Sequence, residues 1–202
     1  MSSSPLDLHG SVPDTADTCL LIIDMINAFT FDDAEKLFPA VVQAADRIAR
    51  LKQRAAAAHV PTIYVNDNFG KWRHDFHKLV EHCLKTQCRG KPVAERLRPT
   101  EDDYFVLKPK HSGFFATPLE LLLKFLRTRR LILTGVAGDN CVLYTAADAY
   151  MRDFAICVPG DCIVSIDVQS NQAALDHMKT TLKADILPST AVRLEQADGN
   201  SG

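Results

Sequence analysis

The chain has no apolar run near the roughly 18 residues that a membrane-spanning helix needs, so no such helix is expected. It has no excess of charge of one sign. Lys and Arg number 23 against 25 Asp and Glu, a formal net charge of −2, spread along the chain. Neither nucleic acid nor a membrane surface is therefore an expected partner. No Gly-x-Gly-x-x-Gly follows the first apolar run, and the pair Gly135 and Gly138 is too sparse to cradle a diphosphate, which argues against a nucleotide- or flavin-binding domain. Cys83 and Cys88 have no paired histidine at zinc spacing, so no metal is expected there. The six cysteines (19, 83, 88, 141, 157 and 162) do not form a disulfide framework in a chain this long. Cys19 and Cys157 sit in strand-like runs, which argues for reduced thiols and a cytoplasmic setting. Met1 to Thr18 is polar, with Asp and Pro, and does not read as a signal peptide.

What is present is a globular composition, 47% hydrophobic over 202 residues, enough for one α/β domain. Residues 1–17 and 195–202 read as flexible ends and 18–194 as the domain. Cys19–Ile23 is a continuous apolar run, the mark of a strand covered on both faces. From about Asp33 to Ala58 apolar residues recur at spacings of three and four, which predicts an amphipathic helix. Further strands are expected at Val60–Val65, Phe105–Leu107, Leu131–Thr134, Ala155–Val158 and Ala184–Leu187. Helices are expected at about 75–84, from Pro118 to Arg127 with Thr117 as its N-cap, at 141–152 and at 167–183. Strands alternating with helices predict a doubly wound, six-stranded, mainly parallel sheet with helices on both faces.

In such sheets ligands bind outside the carboxyl ends of the strands, where strand order reverses. Three predicted strands lead into a reactive residue: Asp24, Lys108 and, beyond the Gly-Val-Ala-Gly turn, Cys141. Each also has a structural explanation. Asp24 can cap a turn, Lys108 can be a solvated charge, and a helical cysteine is commonly core filler. Together at one sheet edge they suggest a site. A thiol in the first turn of a helix is expected to have a lowered pKa, helped by a lysine ammonium. Asp24 can take the thiol proton and return it to a leaving amine. Main-chain N–H groups near Ala137 and Cys141 can hold an oxyanion.

Three motifs in this order carry a resemblance. They are Leu21-Ile22-Ile23-Asp24-Met25 with Asn27-Ala28-Phe29; Lys108-Pro109-Lys110-His111-Ser112-Gly113-Phe114-Phe115-Ala116-Thr117-Pro118-Leu119; and Gly135-Val136-Ala137-Gly138-Asp139-Asn140-Cys141-Val142 with Thr145-Ala146-Ala147-Asp148-Ala149. The chain resembles the isochorismatase-like cysteine hydrolases over roughly residues 18–188. The resemblance implies a six-stranded parallel sheet, an Asp24–Lys108–Cys141 triad and homo-oligomers, dimer or tetramer. It also implies a non-proline cis peptide between Val136 and Ala137 that shapes the oxyanion hole. Lys110 is the competing lysine, and Lys108 fits the spacing to Ser112-Gly113-Phe114 better.

Three departures matter. Ile26 stands where many members have glutamine, and Gly138 where threonine is common. Nicotinamidases of the family bind a metal through Asp-x-His after the second strand, where this chain has Asn66-Asp67-Asn68-Phe69. His74 and His77 do not restore that spacing. The expectation is a metal- and cofactor-free hydrolase that cleaves a C–N bond (amide, carbamoyl or ureido) of a small molecule through a thioester. Phe29, Asn68, Trp72 and Phe114 are the candidate pocket lining. The alternatives are a metal-assisted, nicotinamidase-like amidase using Asp67 and a histidine, and a silent binding or scaffold member of the fold.

Overall fold

The computed structural model describes residues 15–68, 75–85 and 87–194. Its strands are β1 (Thr18–Ile23), β2 (Thr62–Asp67), β3 (Tyr104–Lys108), β4 (Arg130–Val136), β5 (Ala155–Pro159), β6 (Ile163–Val164) and β7 (Asp185–Leu187). The α-helices are α1 (Ala34–Ala57), α2 (Phe76–Lys85), α3 (Lys91–Arg96), α4 (Leu119–Phe125), α5 (Leu143–Tyr150) and α6 (Val168–Thr180). The sheet runs β3-β2-β1-β4-β5-β7, with every described pairing parallel. The expected six strands are all present, and β6 is an addition. After β5 moves over to pair with β7, the two residues of β6 return to pair with the end of β4.

The pleat divides the side chains between two cores. Leu20, Ile22, Tyr64, Ile132 and Cys157 point to one face, where α1, α2 and α3 pack. Leu21, Ile23, Ile63, Val65, Leu131, Leu133 and Val158 point to the other, under α4, α5 and α6. This alternation makes β1 apolar at nearly every position, because both of its faces are covered. Helix α1 buries Leu37, Val41, Ala44, Ala45, Ile48, Leu51 and Ala55, the stripe that its sequence spacing describes.

Three local readings change. Helix α3, with Pro92 in its first turn, lies inside what reads as a polar segment. The chain after β4 enters one π-helical turn (Gly138–Val142) before α5, so Cys141 is not in an ordinary first turn. Of the expected flexible ends, only 15–17 are described. There Ala16 is buried, and its N–H donates to the Leu126 carbonyl at 2.7 Å.

Strand order reverses between β1 and β4. The segment after β1 crosses toward β2 and β3, and the chain returns through α4 to β4 on the opposite side. Asp24 follows β1, Lys108 ends β3, and Cys141 follows β4, so all three lie at the carboxyl edge of the sheet. No helix among the described residues is long and apolar enough to cross a membrane.

Candidate active site

Asp24 leaves β1 in the left-handed region (φ 52°), which a short polar side chain tolerates. Its own N–H still donates to the Val65 carbonyl, so the carboxylate starts from a fixed backbone. Oδ1 accepts the Asp67 N–H at 2.7 Å, and Oδ2 lies 2.7 Å from Lys108 Nζ. Lys108 is the last residue of β3 and has no exposed surface. Its ammonium also lies 3.6 Å from Cys141 Sγ and 3.8 Å from Asp67 Oδ2. Lys110, the competing lysine, is exposed.

The turn that presents Cys141 is held from several sides. The Val136–Ala137 peptide bond is cis. Asn140 and Val142 both donate their N–H to the Ala137 carbonyl at 3.1 Å, and the second of these is the π-type bond. Asp139 N–H donates to Ser165 Oγ, which donates to Asn171 Oδ1. Glycine is required at two points. Gly135 has φ 120°, and a Cβ there would lie 2.0 Å from the Ile23 carbonyl oxygen. A Cβ on Gly138 would lie 2.3 Å from Asn171 Oδ1.

A buried lysine thus joins an aspartate and a cysteine at the edge of a parallel sheet. The family profile described as the isochorismatase domain matches residues 18–190. The chain belongs to the isochorismatase family. It is 43% identical over 171 residues to YaaI of Bacillus subtilis (strain 168), an isochorismatase family protein of uncharacterised activity, covering 85% of this chain and 93% of that one. It is 28% identical over 195 residues to the ureidoacrylate amidohydrolase RutB of Acinetobacter baylyi, covering 81% and 77%. Among solved structures, the nicotinamidase/pyrazinamidase PncA of Bacillus subtilis superposes with a TM-score of 0.67 at 26% identity, covering 85% of this chain and 99% of that one.

Within this isochorismatase-family fold the charges are strongly coupled. Burial pushes the Cys141 thiol up to about 12; the Asp24 carboxylate adds to the rise and Lys108 opposes it. The expectation of a lowered thiol pKa is thus reversed. A turn dipole and one ammonium do not outweigh desolvation and a facing carboxylate. Burial also raises Asp24 above its ordinary value, against the pull of Lys108. For Lys108 burial works downward, but Asp24 first, then Cys141 and Asp67, outweigh it and hold the ammonium. Burial and the facing Asp24 thus favour the protonated thiol, while Asp24 favours the charged form of Lys108.

The expected pocket residues separate. Asn68 is buried just past β2, and its N–H donates to the Lys108 carbonyl. Phe29 is 1% exposed and packs edge-on against Phe38 in the core beside α1, so its ring offers almost no surface to a ligand. Phe114 lies in the opposite core, with its ring beneath the Arg152 guanidinium at 4.8 Å. Both rings are thus taken up in packing, one in each core. Trp72 and His74 lie outside the described residues.

Asp67 belongs with the site, although the sequence singled it out only as a metal candidate. The signal was available: β2 ends in a charged residue, as β3 does, between the strands that present Asp24 and Lys108. Among the described residues no group of three or more His, Cys, Asp or Glu converges as a metal cage. The His77 ring instead packs edge-on against Phe105.

Proposed function

We propose that this protein is a cysteine hydrolase that cleaves the C–N bond of a small amide, carbamoyl or ureido compound. The observation that carries the reading is the single buried ammonium of Lys108, in contact with both Asp24 Oδ2 and Cys141 Sγ. The names of RutB, a ureidoacrylate amidohydrolase, and PncA, a nicotinamidase/pyrazinamidase, support the same bond class.

In this reading Asp24, held as a carboxylate by Lys108, accepts the Cys141 thiol proton as sulfur attacks the substrate carbonyl. Lys108 keeps the developing thiolate from facing a bare carboxylate. The oxyanion accepts hydrogen bonds from the main-chain N–H groups of Ala137 and Cys141, beside the Val136–Ala137 peptide. Asp24 then returns its proton to the nitrogen, the C–N bond breaks, and an amine leaves. The thioester is hydrolysed by water that Asp24 deprotonates, and the thiol is restored. No cofactor or metal enters these steps. The reduced thiols suit a cytoplasmic enzyme. The large apolar side chains on the surface, among them Leu121, Phe125 and Met151, suit a homo-oligomer, dimer or tetramer.

The test is a panel of small amides, carbamoyl and ureido compounds, assayed for released amine with and without chelator, using wild type and Cys141→Ala. Turnover that is lost in Cys141→Ala and unchanged by chelator supports the reading. Turnover abolished by chelator replaces it with the metal-assisted amidase, for which Asp67 is the available carboxylate. No turnover across the panel, with intact folding, favours the silent binding or scaffold member.

A further inference from the structure

Lys108 and Cys141 are separated by 33 residues and belong to different crossovers. Lys108 ends an edge strand, and Cys141 lies in a turn beyond an interior strand, so sheet pairing does not fix their separation directly. A second set of contacts, just past each of them, ties their segments together.

The Thr145 hydroxyl donates to the Cys141 carbonyl at 2.7 Å and accepts the Gly113 N–H at 2.9 Å. Thr145 has no exposed surface. One oxygen atom thus joins the turn carrying the thiol to the segment that follows Lys108. Its neighbours reinforce the same seam. Ser112 Oγ donates to the Asp148 carboxylate and accepts the Phe114 N–H. Arg152 pairs with Asp148, reaches Glu120 of α4 and covers the Phe114 ring. Ser112, Gly113 and Phe114 are therefore each gripped by a residue of α5 or the turn just past it.

A threonine that bonds back to the carbonyl four residues earlier is common in helices and by itself has no functional meaning. The incoming Gly113 N–H makes this one different, because it belongs to another crossover and is buried. Without the hydroxyl that N–H has no acceptor from α5, and the Lys108 and Cys141 segments lose a link that does not run through the reactive groups themselves.

We infer that Thr145 is a positioning residue that sets the spacing between the Lys108 ammonium and the Cys141 sulfur. The inference rests on the hydrolase reading for its kinetic consequence, but not for its geometry. It acts through the two segments and does not touch the substrate.

The experiment compares Thr145→Val, which keeps the shape and removes the hydroxyl, with Thr145→Ser, which keeps the hydroxyl. Two quantities are read. The first is kcat and KM on an amide found active in the panel. The second is the rate of Cys141 alkylation by iodoacetamide between neutral pH and about pH 10, followed by mass spectrometry of its peptide. Misplacement on the scale of an ångström costs on the order of 10²-fold. Thr145→Val should therefore lose kcat by about that factor with little change in KM, and Thr145→Ser should recover most of it. Cys141 should alkylate several-fold more slowly in Thr145→Val at each pH, because the ammonium no longer favours its thiolate.

Equal kcat and equal labelling in wild type and Thr145→Val overturn the inference. So does faster labelling in Thr145→Val, which is what mere loosening of the turn produces, and so does a Thr145→Ser as impaired as Thr145→Val. If Thr145→Val does not fold, Thr145→Ser against Thr145→Ala makes the same comparison, and equal rates in that pair overturn it. Persistent activity in Cys141→Ala sinks the hydrolase reading alone, and the alkylation rates still decide the role of Thr145.

Discussion

Lys108 Nζ and Asp24 Oδ2 lie 2.7 Å apart, and the lysine has no exposed surface. Such a pair is costly to break from one side, because the remaining charge stays buried without a partner. Lys108→Met should destabilise the protein by about 3 kcal/mol or more, measured by urea unfolding. Adding Asp24→Asn should return part of that loss, since neither charge then remains. If the two losses add, the pair is not the coupled unit that its geometry describes.

Asp24→Asn should change two readouts in opposite directions. Loss of the general base should reduce kcat by about 10²- to 10⁴-fold. The same carboxylate helps to push the Cys141 thiol up, so removing its charge should speed alkylation of Cys141 near pH 8. Wild-type Cys141 should not be the first thiol labelled at neutral pH. Slower labelling in Asp24→Asn would show that the carboxylate does not oppose the thiolate.

Stability should fall as pH rises from about 9 toward 12. Burial pushes Cys141, Cys83 and Cys162 up to about 12 and Cys157 to about 11, from an ordinary 9.0. Within that window the folded chain holds thiol protons that the unfolded chain has released, so the slope of unfolding free energy against pH is negative. The stabilisation is complete below pH 9 and is lost as pH passes the folded values. Each thiol contributes at most about 1.4 kcal/mol per pH unit. Denaturation in reductant at pH 8, 9.5 and 10.5 should show the decline, and Cys141→Ala should make it shallower. An unchanged slope in that variant would remove Cys141 from the account.

Much of this architecture was legible because burial is written into the strands and helices. The apolar run of β1 and the three-and-four spacing of α1 specify their elements without outside help. The two candidate lysines differ in the pleat: Lys108 shares the buried side of β3 with Val106, while Lys110 has left the strand. Helix α3 was hidden by its shortness and charge, and β6 by its two residues. The π-turn was hidden because its shape depends on partners far along the chain, Ser165 and Asn171. The rise in the Cys141 pKa was missed for the same reason. The helix-end argument is local, whereas Asp24 and the burial come from other strands. Phe29 and Phe114 belong to the motifs, but sequence does not say whether a ring there faces the sheet edge or the core.

The family resemblance leads to an expected threonine where this chain has Gly138, and the space around Gly138 is closely filled. The space that a side chain would take is filled by Asn171 Oδ1, at 2.3 Å from an ideal Cβ, by Ile163 Cδ1 at 3.0 Å and by Ser165 Oγ at 3.2 Å. Ser165 and Asn171 hold the Asp139 N–H, so they are part of the scaffold of the Cys141 turn. Gly138→Ala should cost about 1–3 kcal/mol by overpacking and should disturb turnover beyond that cost, because it displaces the support of the turn. Asn171→Ala in the Gly138→Ala background should recover stability, although alone it removes a hydrogen-bond partner of Ser165. Urea unfolding of the two single variants and the double decides the matter. Strict additivity would mean that Asn171 is not the side chain excluding larger residues, and would leave Ile163 and Ser165 as the groups that do.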